Sequence, residues 1–331
     1  MSNLETEPAE LLCDGSTPIG TLTEAPAPVV ILEPRDVPLG GPRAMGVRRT
    51  LPQRRRSLIG AWCFVDHYGP DDVSVTGGMV VPPHPHTGLQ TASWLFAGEV
   101  EHRDSVGSLA LVRPGELNLM TAGAGISHSE VSTPATTALH GVQLWIALPE
   151  LTRHQAPHFE NHVIAPVTLN GVTLHVFIGS LAGQTAAALG DTPLVGAQLD
   201  LPAGASIDLE VQSAFEHGVL VDTGAVSVAG TPVRQYELGF VDAGRRRIRV
   251  ENTGEAHARV LLLGGEPLGE QIVMWWNFIG RSHEEITAWR AQWQSDVIDE
   301  TDAAGPFGHV AYHGAALPAP VLPTVRLKPR D

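Results

Sequence analysis

The sequence predicts an all-β chain built as two β-barrels, with a helix near the C-terminus. Three observations lead there. Gly 35 and Pro 26 are both high for 331 residues, which suits many short strands joined by turns. Charged residues make up 17%, low for a helix-rich chain, while apolar residues at 43% supply a sizeable core. Short apolar runs broken by Gly, Pro and Asp recur along most of the chain, which is the spacing of a sandwich or barrel.

Taken in order, residues 1–28 are rich in Pro, Glu, Thr and Ala and are expected to form a flexible tail. Residues 29–150 are expected to form the first barrel, beginning with the apolar run at 29–32. Met45, Val47 and Leu51 share one parity, with Arg49 the exception, and read as an edge strand. Further runs at 61–65, 92–96, 109–112 and 142–146 complete that set. A polar linker follows Pro149. Residues 151–265 are expected to form a second barrel from strands at 172–177, 218–221 and 258–263. Residues 266–296 carry the helix: Ser282 with Glu285 three positions on is a capping box. Ile286, Trp289, Arg290 and Trp293 then fall at helical spacing, and the Trp pair reads as a packing face. Residues 297–331, rich in Pro and Ala, are expected to run extended over the surface.

The formal net charge of −15 disfavours direct nucleic-acid binding. The short basic clusters Arg48-Arg49, Arg54 to Arg56 and Arg245 to Arg247 read as solvated turns. Two cysteines, Cys13 and Cys63, offer neither a disulfide framework nor a zinc ribbon, which fits a reduced chain. The acidic N-terminus lacks a signal pattern, and no apolar run approaches the roughly 20 residues that cross a bilayer. A soluble, cytoplasmic protein without a membrane partner is expected.

The chemistry is carried by two short pairs. His84-Pro85-His86 places two imidazoles at i and i+2, on one face of a strand. Pro85 between them has no N–H, so the strand is expected at a sheet edge or a bulge. His128-Ser129-Glu130 repeats the spacing with a third imidazole and a carboxylate. Two such pairs on neighbouring strands can converge on one ion inside a barrel, so His84, His86, His128 and Glu130 are the expected metal ligands. The run from Thr121 to Ile126, with Gly123 and Gly125, supplies the sharp turn that aims the second pair. Three nitrogens and one oxygen suit a first-row transition metal, and six-coordinate iron would keep two open positions. Zinc with four protein ligands would be closed, and copper, nickel and manganese also fit the donor set.

The stretches HPHTGLQT, EHRDS, LVRPGELNLMTAGAGISHSE and LHGVQLWIALP resemble the N-terminal domain of the pirins, over roughly residues 60–150. The second half resembles the family more weakly. The resemblance implies two cupin barrels (a bicupin) and mononuclear iron, Fe(2+), held by His84, His86, His128 and Glu130. Where many pirins carry Glu this chain has Gln90, which is expected to alter the surroundings of the metal without removing it. His102 reads as structural. His140, His154, His158 and His162 lack paired spacing, His175 alternates with apolar neighbours, and Glu216-His217 is an isolated pair. The second barrel is therefore expected to hold no metal.

Two functions follow from the resemblance. One is a quercetin 2,3-dioxygenase, with a small aromatic flavonol as substrate and Glu130 acting as both ligand and general base. The other is a redox-sensing regulator that acts through a protein partner, for which the acidic charge is better suited than for DNA.

Overall fold

The computed structural model describes residues 28–39, 45–188, 190–302 and 304–331; the expected flexible tail up to residue 27, with Cys13, lies outside them. Strands dominate, and every ladder between them is antiparallel. A seven-stranded sheet runs in the order His158–Val163, Glu116–Thr121, Leu89–Ala97, Ala138–Ala147, Trp62–Asp72, Met45–Leu51, Arg35–Leu39. Facing it is a four-stranded sheet of Val80–His86, Ile126–Ser132, Val100–Asp104 and Leu109–Val112. A second sheet pair repeats the plan. Its larger sheet includes Glu216–Thr223, Ala258–Gly265, Leu194–Leu201 and Val172–Ile178, and its smaller one is centred on Arg247–Asn252.

Four sequence expectations are corrected. The run at 29–32 belongs by position to the first barrel, yet Val30–Leu32 pairs with Leu238–Val241 of the second. Chain order does not dictate pairing, and this strand completes the edge of the far sheet. Met45–Leu51 is not an edge, because Arg35–Leu39 pairs outside it. Arg49 is no exception to the buried parity. Its guanidinium grips Asp66 through two hydrogen bonds of 2.7 and 2.8 Å and lies over the Phe64 ring, so the charge is matched inside the barrel. The basic cluster at 48–49 is likewise not a solvated turn, whereas in 54–56 Arg54 and Arg55 are exposed in bends and only Arg56 is engaged. Arg48 stacks on Tyr236, while Arg56 stacks on Phe240 and bonds Glu216, so both join one half of the chain to the other.

The same face of the first barrel supplies the joint between the halves. Ala92, Trp94, Leu144 and Ile146 share one apolar core with Phe177, Leu220, Leu261 and Leu263. Trp94 stacks on Phe177 at 4.9 Å and donates its indole N–H to Gln198 Oε1 at 2.7 Å. Beside this core lies a buried polar latch. His67 Nε2 and His140 Nε2, from the first barrel, both meet Asp222 Oδ1 of the second, at 2.7 and 2.6 Å. Arg259 donates to the other oxygen at 3.2 Å. Arg48 Nη1 lies 3.2 Å from His67 Nδ1. A guanidinium can only donate, so His67 Nδ1 accepts and its single proton sits on Nε2, facing Asp222.

The chain's last part closes over the first barrel. Ser282 caps His283–Trp293 by accepting from the Glu285 N–H at 3.2 Å, as the capping box predicts. The Glu285 carboxylate takes the N–H of Arg281 instead of that of Ser282. Trp293 is buried against Phe307. The extended segment beyond is packed, not loose: Ser127 Oγ donates to the Phe307 carbonyl, and the Leu317 N–H to that of Pro83.

The latch has a pH signature. Burial lowers His67 from its ordinary 6.5, so the unfolded chain protonates first and stability is lost as pH falls below that value. For Asp222, burial alone would raise the carboxyl, but the bonds from His140 and His67 hold it well below its ordinary 3.8. A second loss therefore follows as pH drops further. Urea midpoints should decline in these two stages on acidification. Asp222→Ala, which strands two imidazoles and Arg259, should cost about 3–5 kcal/mol in urea unfolding at pH 7.5.

Candidate metal centre

Strand alternation gathers the site. In the ladder between Val80–His86 and Ile126–Ser132, His84 lies opposite His128 and His86 opposite Ile126. His84 and His86 of one strand and Ile126 and His128 of the other therefore share one face, which lines the interior of the first barrel. Val80–His86 is the edge of its sheet, where Pro85 removes no ladder bond. Two glycines set the corners on either side. Gly88 (φ +68°) and Gly123 (φ +51°) adopt left-handed backbone, and the Gly88 N–H donates to the Gly123 carbonyl. A Cβ at either would collide with a backbone oxygen, that of Ile279 or of Gln155.

Ligand atoms of His84, His86 and His128 lie within 4.8 Å of one another, and all three rings are buried. His84 and His128 are closest, with centroids 4.3 Å apart, and the Nε2 atoms of His86 and His128 stand 3.1 Å apart. His84 Nδ1 lies 2.8 Å from the Pro82 carbonyl, which can only accept, so His84 carries its proton there and turns a bare Nε2 away from the strand. Burial pushes His84 down to about 4 and holds His86 and His128 well below their ordinary value, with neighbouring imidazoles adding to the fall. The cluster is neutral near pH 7 and rich in lone pairs. Three converging neutral imidazoles fit a divalent transition metal. One wall is aromatic: His86 packs edge-on to Trp145, which stacks on Phe64 at 4.0 Å.

Glu130 is buried on the same face, opposite His102 in the ladder with Val100–Asp104. Its carboxylate is not within the mutual 4.8 Å group of the three rings. A bulge between His128 and Glu130 slides Glu130 along the partner strand, to lie opposite Val81. Its negative charge reaches Tyr68, whose phenol is raised chiefly by burial and further by Glu130.

Gln90 does not neighbour the centre. It pairs with Thr121 and Ile146, on the face shared with Ala92 and Trp94, and donates to Thr121 Oγ1 at 2.9 Å. Trp145, which touches His86, pairs with Thr91 on the opposite face. The expectation that Gln90 shapes the metal's surroundings fails because the corner at Gly88 intervenes between it and His86.

Sequence reading missed three contributors. His102, read as structural, has its Nδ1 3.3 Å from His128 Nδ1 and its Nε2 3.2 Å from Asp104 Oδ2. The HRD spacing, a third i, i+2 pair, was the available signal. Asn277, far along the chain, brings its backbone close enough to His86 to oppose the fall of that ring, which no sequence pattern marks. His140 does converge on an acid, Asp222, but across 82 positions, and with His67 it forms the second buried histidine and carboxylate group of the described residues. That group is poorly suited to a cation, since its Nε2 proton on His67 faces the carboxylate and Arg48 and Arg259 already supply positive charge. His162 bonds Glu160, and His175 lies near Trp94.

Comparisons with known proteins agree with the two-barrel fold. Residues 44–146 match the family model described as Pirin, and residues 196–298 match that of the Pirin C-terminal cupin domain. A Pseudomonas aeruginosa protein provisionally named quercetin 2,3-dioxygenase is 42% identical over 291 residues, covering 87% of this chain and 89% of that protein. A Caulobacter vibrioides pirin-like protein is 31% identical, covering 83% of this chain and 94% of its own length. The crystal structure of a quercetin 2,3-dioxygenase from Acinetobacter baumannii is 37% identical and superposes with a TM-score of 0.83, across 91% of this chain and 98% of that one.

Elemental analysis of protein purified without added metal should find about one equivalent per chain. His128→Ala should remove most of it. His67→Ala should leave the stoichiometry unchanged while lowering stability, which separates the two buried histidine groups.

Proposed function

This chain belongs to the pirin family, and from that premise we propose that it is a mononuclear iron dioxygenase of the quercetin 2,3-dioxygenase type, with His84, His86, His128 and Glu130 as its metal-binding residues. The observation that carries the reading is the meeting of three neutral, buried imidazoles beside a buried carboxylate. The names of the relatives at 42% and 37% identity support the substrate class.

Iron at this centre would supply Lewis acidity and a site for orienting flavonol and O₂. Both atoms of O₂ enter the cleaved product in a dioxygenase, so no external reductant is needed. The residues do the rest. Glu130, in a dry interior, accepts the proton of the flavonol 3-hydroxyl. Phe64 and Trp145 keep one wall apolar and hold the His86 ring in place. Tyr68 is kept protonated, chiefly by burial and further by the Glu130 charge.

Anaerobically iron-loaded protein mixed with quercetin and then O₂ should bleach the flavonol band and consume O₂ in equal amounts. Absence of turnover at full iron occupancy would exclude this substrate. Glu130→Gln should lower kcat by about 10²–10⁴ while part of the iron is retained.

A further inference from the structure

We infer that His102 and Asp104 form a positioning relay that holds His128 in one tautomer and orientation, so that its Nε2 is presented to the metal. This rests on the reading of His84, His86 and His128 as a metal centre.

Asp104 is buried, and its Oδ1 accepts from the backbone N–H groups of Val106 at 3.1 Å and Ser108 at 2.8 Å. Those bonds fix the carboxylate in place. Burial works against its charge, but the bonds from His102 and the Ser108 N–H hold it below its ordinary value. An ionised carboxylate only accepts, so the 3.2 Å contact at Oδ2 requires a proton on His102 Nε2. A neutral His102 then has a lone pair on Nδ1. His128 Nδ1 stands 3.3 Å from that lone pair and must supply the proton. With its proton on Nδ1, His128 has a bare Nε2, and this is the atom that faces His86 Nε2 at 3.1 Å. The reverse arrangement, with His102 donating from Nδ1, would put the His128 proton on Nε2 and block coordination.

Packing prevents His102 from turning. Its ring stacks on Phe159 at 4.5 Å with an interplanar angle of 19°. Phe159 belongs to His158–Val163, the outermost strand of the facing sheet. The register places the relay beside the site: His128 lies opposite Asp104, and Glu130 opposite His102. A carboxylate that orients a metal-bound imidazole is a common device; here a second imidazole is inserted between them. The extra ring, two residues along the neighbouring strand, lets the carboxylate act on His128 without occupying the coordination space.

The test uses cobalt(II) as the probe on full-length apo-protein. Affinity is measured by chelator competition, and ring N–H signals by paramagnetic proton NMR in water. His102→Phe keeps the stack on Phe159 but removes the acceptor. It should weaken cobalt binding about 10- to 100-fold and make the His128 N–H signal exchange rapidly with solvent. His102→Asn, whose amide oxygen can replace Nδ1 as acceptor, should recover most of both. Because the Asn variant retains a polar partner for His128, it also serves if the Phe variant does not fold: loss of affinity together with loss of the protected N–H in a folded Asn variant would overturn the relay. Wild-type affinity and a protected His128 N–H in His102→Phe would overturn it equally. If wild-type protein itself binds no cobalt, the metal-centre reading fails and the relay with it, an outcome distinct from failure of the relay alone.

Discussion

Three imidazole lone pairs aimed at one point inside a dry barrel are the constraint around which the first half of this molecule is arranged. Neutral histidines are inexpensive to bury, but only if the proton of each ring has somewhere to go. In a strand the neighbouring backbone is already engaged in ladder bonds. The partners must come from a strand edge, from another side chain or from a distant segment. The structure uses the first two for two of the rings: the Pro82 carbonyl for His84 and His102 for His128.

The far end of the chain is also tied to these strands. Asn277 sits in the tight turn between Val273–Trp275 and Phe278–Gly280, and Phe278 bridges to Thr87, next to His86. The helix that follows packs Trp293 onto Phe307, whose carbonyl takes the Ser127 hydroxyl, next to His128. A segment whose composition resembles a loose tail is therefore bound to the outer side of the strands whose inner side carries the ligands. The surfaces of those strands are covered on both faces, which limits their movement more than ladder bonds alone would.

The sequence made the histidines legible because strand geometry has a period of two and leaves a local mark: HPH and HSE. It made the barrels legible because short apolar runs and turn residues are also local. What escaped is what depends on pairing or on parity across a corner. Gln90 is four residues from His86, a spacing that would place both on one face of an unbroken strand. The left-handed Gly88 turns the chain and reassigns Gln90 to the inter-barrel side. His67, His140 and Asp222 meet only because two sheets pack together, so no window of sequence contains them. His102 and Asp104 were within reach, since they repeat the same spacing. The flanking Glu101 and Arg103 pair with each other on the outer face and gave the segment the look of a solvated loop.

The two buried histidine groups show why convergence alone does not define a metal centre. Both bring imidazoles together in a dry interior. In one, the identifiable protons of His84 and His128 point outward, toward acceptors at the rim, and lone pairs are left at the middle. In the other, the protons point inward to a carboxylate, and arginines occupy the remaining acceptor positions at the edge. The first arrangement is completed by a cation, whereas the second is complete without one. Where the protons sit, decided by partners outside the cluster, separates a site that can accept an ion from a joint that holds two barrels together.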